Sequence, residues 1–94
     1  MKKNTQRLFK EITVWRRIDD NTLQRYRCLF ILPENRYCVK SADFCYWPLD
    51  KEQLRQQDYY YIDSLFQDAL ENIAATTYET LEEAIRMHDQ EFSE

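Results

Sequence analysis

The sequence predicts an α+β fold in which a three-stranded antiparallel meander is followed by two α-helices packed on one face of the sheet (βββαα). Two observations support this prediction. Two short loops divide the first half of the chain into three stretches with apolar residues at alternate positions, and after Pro48 the apolar residues recur at spacings of three and four. The 94 residues are expected to form one domain, 1–94, because this length supports a single core.

Each predicted hairpin turns at a three-residue loop that ends in asparagine, Asp19–Asn21 and Pro33–Asn35. The chain contains no glycine, and asparagine is the best substitute at the left-handed position that closes such a loop. We therefore expect strands at about 9–18, 23–32 and 36–46.

Three-residue loops fix the register of both hairpins. Val14 then faces Tyr26 in the first hairpin, and Phe30 faces Cys38 in the second. The even-numbered face is largely apolar and is expected to form the core, with Ile12, Val14, Tyr26, Cys28, Phe30, Cys38, Ala42, Phe44 and Tyr46. Lys40 is the exception, because this register places its charge on the apolar face.

Two amphipathic helices are predicted after the strands. The first covers about 50–75, with an apolar side made of Leu54, Tyr61, Ile62, Leu65, Ala69, Leu70 and Ile73. The second covers about 80–92 and begins at a capping box formed by Thr80 and Glu83. Its predicted buried residues are Leu81, Ala84, Ile85 and His88.

If both helices cover the even face, the odd face of the sheet stays open. It combines arginines with aromatic and aliphatic residues: Trp15, Arg17, Arg25, Arg27, Leu29, Ile31, Tyr37 and Val39. An exposed apolar patch rimmed by arginine and aromatic residues is typical of protein interfaces. We expect this face to bind another protein or a second copy of the chain in a homodimer. The alternative is ordinary internal packing, with the aliphatic residues covered by the N-terminal arm or by a helix.

The charge of the chain is divided between its halves. Ten Lys or Arg and five acidic residues lie from Met1 to Trp47, whereas three and twelve lie from Pro48 to Glu94. An acidic surface steers basic partners, so Asp58, Asp63, Asp68 and Glu71 on the first helix are a second candidate contact, for a basic protein. The alternative is that these carboxylates form an ordinary solvated helix face.

No catalytic, cofactor-binding or metal-binding residues are expected. The absence of glycine excludes glycine-rich phosphate loops and dinucleotide fingerprints. Cys28, Cys38, Cys45 and His88 lack the close spacings of a zinc site. No apolar stretch has the length of a secretion signal or of a membrane span, so a cytoplasmic protein without membrane contact is expected.

The sequence is therefore interpreted as a small, acidic, non-enzymatic protein-binding module, such as an inhibitor or an immunity-type protein that acts by occluding its partner. The first alternative is a module that binds single-stranded RNA on the basic, aromatic sheet face. The second, and least favoured, is a small enzyme that uses His88, the single histidine of the chain.

Overall fold

A computed structural model describes residues 8–32, 34–67 and 76–92. Within these ranges, the chain forms strands β1 (Leu8–Asp19), β2 (Thr22–Leu32) and β3 (Arg36–Tyr46), and then helices α1 (Lys51–Gln67) and α2 (Leu81–Phe92). The sheet has the order β1-β2-β3, and both strand pairs are antiparallel. The predicted α+β class and the βββαα order are confirmed.

The register of the β1–β2 hairpin is the predicted one from Leu8 to Arg17, and Val14 faces Tyr26. The loop is different, because Asp19 pairs with Thr22 and the register shifts between Arg17 and Asp19. The turn is therefore shorter than predicted, and Ile18 is the extra residue of a bulge. The amide of Asn21 donates to Oδ1 of Asp19 at 2.9 Å, an Asx turn that fixes the tight loop.

The β2–β3 register is correct only for its first part. Partners agree with the prediction up to Arg27 and Ser41, and then a bulge leaves Lys40 as the extra residue, so that Cys28 faces Val39. The predicted pairing of Phe30 with Cys38 was wrong, since Phe30 faces Tyr37. A one-residue bulge moves all following side chains to the other face.

The bulge resolves the conflict that Lys40 caused in the predicted register. Cys38 now lies opposite Leu29 on the odd face, and Val39 lies on the even face. At the far end of this hairpin, Asn35 has a φ of 59° and its amide donates to the carbonyl of Ile31 at 2.7 Å. The predicted left-handed asparagine at this loop is confirmed.

Both helices begin at a side-chain cap. Oδ1 of Asp50 accepts from the amide of Glu52 at 3.0 Å, and Oγ1 of Thr80 accepts from the amide of Glu83 at 3.1 Å, which satisfies amides that have no partner inside the helix. The cap predicted at Thr80 is confirmed. The part of the first predicted helix over 68–75 lies outside the described residues.

The two helices pack on opposite faces of the sheet, and the prediction that both cover the even face was wrong. From α1, Gln57 and Asp58 contact the odd-numbered Arg25 and Arg27, whereas Asp89 of α2 contacts the even-numbered Tyr26. Neighbouring side chains of a strand point to opposite faces, so these contacts place one helix on each side.

The physical reason is that β2 is apolar on both faces. Tyr26 and Cys28 are fully buried on the even face, and Leu29 and Ile31 are 2% and 1% exposed on the odd face. A single layer of helices would leave one of these sets in water, at a cost of about 1.5–3 kcal/mol for each large side chain. Leu29, Ile31 and Cys38 form the core cluster, against which Leu65 of α1 packs.

Candidate protein-binding surfaces

The arginines of the odd face hold α1 on the sheet. Arg27 forms an ion pair with Asp58, and its guanidinium lies 4.7 Å from the ring centroid of Tyr61. Arg25 donates to Oε1 of Gln57 at 2.9 Å and lies 3.7 Å from Asp58. The side chain of Arg27 is only 7% exposed, so a buried cation is compensated by a carboxylate and an aromatic face.

This arrangement overturns the expectation of an open odd face. Arg27, Leu29 and Ile31 are buried and Arg25 is largely covered, because α1 occupies the surface on which a partner was expected. Tyr37 and Val39 are half-buried, and the bulge at Lys40 places them on the even face.

Trp15 and Arg17 remain accessible near the edge of the odd face. Trp15 is 51% exposed, and the guanidinium of Arg25 lies 5.5 Å from its ring. Arg17 is exposed as well. Of the predicted sheet-face residues, these two therefore keep the exposure that binding a partner requires.

A second network holds α2 on the even face. The hydroxyl of Tyr26 donates to Oδ1 of Asp89 at 2.7 Å, and Nη2 of Arg16 donates to Oδ2 of the same carboxylate at 2.8 Å. Burial, together with the hydrogen bond to Asp89, raises the pKa of Tyr26 to about 12. Burial opposes ionisation of Asp89, but the hydrogen bonds from Tyr26 and Arg16 prevail and lower its pKa below the ordinary value.

These two networks give a structural role to the basic residues of the first half of the chain and to the acidic residues of the second half. Arg27 with Asp58, and Arg16 with Asp89, join a basic strand to an acidic helix. Some of the opposite charges of the two halves therefore pair with each other inside the domain.

These ion pairs remove one residue from the acidic surface that was predicted on the first helix. Asp58 is engaged with Arg27 and Arg25, so it does not form a free acidic surface for a basic partner. Asp63 is half-buried. Asp68 and Glu71 lie outside the described residues.

The outer side of α1 carries an apolar stripe that sequence reasoning missed. Tyr59, Ile62 and Phe66 are 65%, 53% and 85% exposed, and their spacing of three and four places them on one side of the helix. Ile62 was predicted to face the core, which was wrong. The available signal was the presence of two apolar sets on one helix, since Leu54, Tyr61 and Leu65 already supply the inward side.

Further apolar side chains are exposed where β3 ends. Phe44, Tyr46, Trp47 and Leu49 are between 43% and 66% exposed, and the rings of Phe44 and Tyr46 stack with centroids 6.3 Å apart. Beside them, an open groove of 740 Å³ runs between the even face and α2, with Ile18 and Phe92 among its lining residues. Exposed apolar surface of this extent marks interaction sites in soluble domains.

The three cysteines are buried and His88 is half-buried, as expected for residues that pack inside a domain. Cys28, Cys38 and Cys45 are free and buried, and burial raises the pKa of the Cys28 thiol to about 12, which suppresses the nucleophilic thiolate. His88 lies between the rings of Tyr26 and Phe92, at 6.0 and 4.6 Å, and burial lowers its pKa.

In the ranges 8–32, 34–67 and 76–92, no group of three or more His, Cys, Asp or Glu side chains is arranged to hold a metal ion. None of the helices in these ranges is both long and apolar enough to cross a membrane.

Comparison of the chain with models of protein families, with curated proteins and with solved structures found no match.

Proposed function

We propose that the protein is a non-enzymatic protein-binding module that acts by occupying a surface of its partner. The observation that carries this proposal is the stripe of Tyr59, Ile62 and Phe66, which is more than half exposed at every position. Burying such side chains at an interface contributes about 1.5–3 kcal/mol each. Tyrosine and phenylalanine are also enriched in protein interfaces.

Helix α1 is well suited to present this stripe. Its inner side is fixed by the ion pair between Asp58 and Arg27 and by the packing of Leu65 on the core. The stripe is therefore held on a rigid element, so little conformational entropy is lost when a partner binds. Recognition of an apolar helix face by a groove in the partner is a common mode of binding.

The net charge of the chain supports a basic partner. Asp63 follows Ile62 directly, and the chain carries a formal net charge of −4. Complementary charge accelerates encounter and excludes acidic competitors. The proposal therefore describes an inhibitor or an immunity-type protein whose stripe contacts an apolar site with a basic rim.

The structure gives less support to RNA binding on the sheet. Stacking of bases requires exposed rings, and binding of phosphates requires accessible cations. Arg25 and Arg27 instead lie under α1 in contact with Gln57 and Asp58. The arginines at the centre of the basic, aromatic face on which this alternative depended are therefore covered.

Affinity purification from the native cells tests the proposed function. The wild-type protein should retain a stoichiometric partner protein, and the double variant Ile62→Glu, Phe66→Glu should lose it. Gln53→Glu, Gln67→Glu is the matched control, since these exposed residues of α1 gain two charges outside the stripe. Equal recovery of the partner by the double variant, or recovery of nucleic acid in place of a protein, would contradict the proposal.

A further inference from the structure

In the part of the chain that the structure describes, the outer edge of β1 is open. The strand has 12 residues and pairs with β2 on its inner side. Among the described residues, no main-chain group pairs with its other side. An exposed edge of this length presents a row of amides and carbonyls that can pair with another strand.

The opposite edge of the sheet is protected over the first part of β3. Tyr78 exchanges two main-chain hydrogen bonds with Tyr37 at the start of β3, at 2.9 and 2.8 Å. The bulge at Lys40 then interrupts the regular ladder of this strand, and such bulges discourage pairing at an edge. From Leu8 to Arg17, β1 has neither a bulge nor a paired segment from the residues that the structure describes.

We propose that β1 pairs antiparallel with β1 of a second copy of the chain, about a twofold axis at Val14. The two three-stranded sheets then become one six-stranded sheet. A twofold axis normal to the sheet keeps each face continuous, so residues at equal distances from Val14 in the two copies face each other.

The charges of β1 select this register. Among the registers that keep each face continuous, two allow the longest overlap of the strand with itself, one centred on Thr13 and the other on Val14. The first places Lys10 opposite Arg16 of the second copy, twice, and like charges in direct opposition destabilise a sheet. The second places Glu11 opposite Arg17, also twice, and opposes no like charges. Charged side chains on an edge strand normally prevent pairing with other strands. In β1, the order of the charges allows pairing with β1 of a second copy.

The same register gives the exposed indole of Trp15 a neighbour in the second copy. Trp15 is half exposed in the single chain, and it would lie opposite Thr13 of the second copy. The axis itself would bring two Val14 side chains together, a β-branched pair that suits a sheet surface. Cross-strand contacts of both kinds stabilise neighbouring strands.

This pairing is independent of the proposed function, because it uses no residue of the α1 stripe. The experiment is sedimentation velocity of the full chain at low salt, over a concentration series up to about 1 mM. The wild type should form a dimer. Glu11→Arg and Arg17→Glu should each weaken it about tenfold or more, since each turns two ion pairs into two repulsions.

A mixture of the Glu11→Arg and Arg17→Glu variants provides the decisive measurement. The Glu11→Arg copy presents two arginines and the Arg17→Glu copy presents two glutamates, so the mixed dimer has only opposite charges across its axis. Mixing should restore association to the level of the wild type, which a variant that failed to fold could not do. Far-UV circular dichroism verifies folding of each variant.

Three results of the charge-reversal experiment would overturn the proposal. These are a wild type that stays monomeric over the whole series, a dimer that neither charge reversal weakens, and a mixture that associates no better than its components. Ile62→Glu, Phe66→Glu serves as the control and should leave the dimer intact. Loss of the dimer in this variant would assign self-association to the stripe and would also overturn pairing at the edge.

Discussion

The hydroxyl of Tyr26, at the centre of β2, donates a 2.7 Å hydrogen bond to Asp89 near the end of α2. The two residues are 63 positions apart in the chain, and Tyr26 is fully buried. Because Arg16 of β1 donates to the other carboxylate oxygen, one acidic side chain joins two strands to the helix. The contact fixes where α2 lies on the even face.

Replacement of Tyr26 by phenylalanine should lower the free energy of unfolding by about 2 kcal/mol, because a hydrogen bond to a charged acceptor is lost while the ring is retained. Urea unfolding followed by circular dichroism measures the change. Tyr46→Phe is the matched control, since Tyr46 is 50% exposed, and it should leave stability nearly unchanged. Equal effects of the two variants would show that the Tyr26–Asp89 bond contributes nothing.

Asp58→Ala should destabilise the domain more than Arg27→Met. Removal of Asp58 leaves the buried Arg27 cation without its carboxylate, a loss of about 3 kcal/mol, whereas removal of Arg27 leaves a carboxylate that is 58% exposed and hydrated. Urea unfolding of both single variants and of the double variant measures the difference. The double variant should resemble Arg27→Met, and the reverse order of the two single variants would contradict this account.

Stability should fall as the pH decreases below 6.5, the ordinary pKa of histidine. Burial lowers the pKa of His88 in the folded chain, so between its folded and unfolded pKa values the unfolded chain binds more protons, and acid favours unfolding. The free energy of unfolding measured at pH 7 and at pH 5.5 tests this expectation. His88→Phe, which keeps a ring in the same position, should reduce the difference. An unchanged difference in this variant would exclude His88 as its source.

Deletion of Lys40 should be tolerated, because it turns the bulge into a regular ladder and leaves every other side chain on its present face. Deletion of Val39 is the control, since it moves the Lys40 ammonium to the half-buried position on the even face opposite the buried Cys28. The second deletion should be less stable than the first by at least about 2 kcal/mol. Thermal and urea unfolding compare them, and equal stabilities would argue against Lys40 as the inserted residue.

Local chemistry made part of the fold predictable. The left-handed Asn35 followed from the lack of glycine at a turn, and the cap at Thr80 from its spacing to Glu83. The bulge at Lys40 could not be derived in the same way. A single inserted residue is decided by the packing of both faces, and the charge of Lys40 on the predicted core face was its one visible sign.

The placement of the helices, and with it the candidate site, was only partly encoded in local patterns. The partner of Arg27 lies 31 residues away, and no periodicity within α1 specifies which face of the sheet it covers. A signal was present in β2, where Cys28 to Leu32 form an unbroken apolar run, typical of a strand covered on both faces. The outward stripe of α1 became recognisable only after Arg27 and Leu65 had defined its inward side.

The position of the two helices on opposite faces also sets the order in which the domain can assemble. The hairpins close between neighbouring segments and can form early, whereas the contacts of Asp58 and Asp89 span 31 and 63 positions and require longer loops to close. During synthesis, α1 leaves the ribosome first and can shield the odd face, while Tyr26 stays uncovered until Asp89 has emerged. A nascent chain halted between the helices would therefore present a half-finished sheet to chaperones and to aggregation.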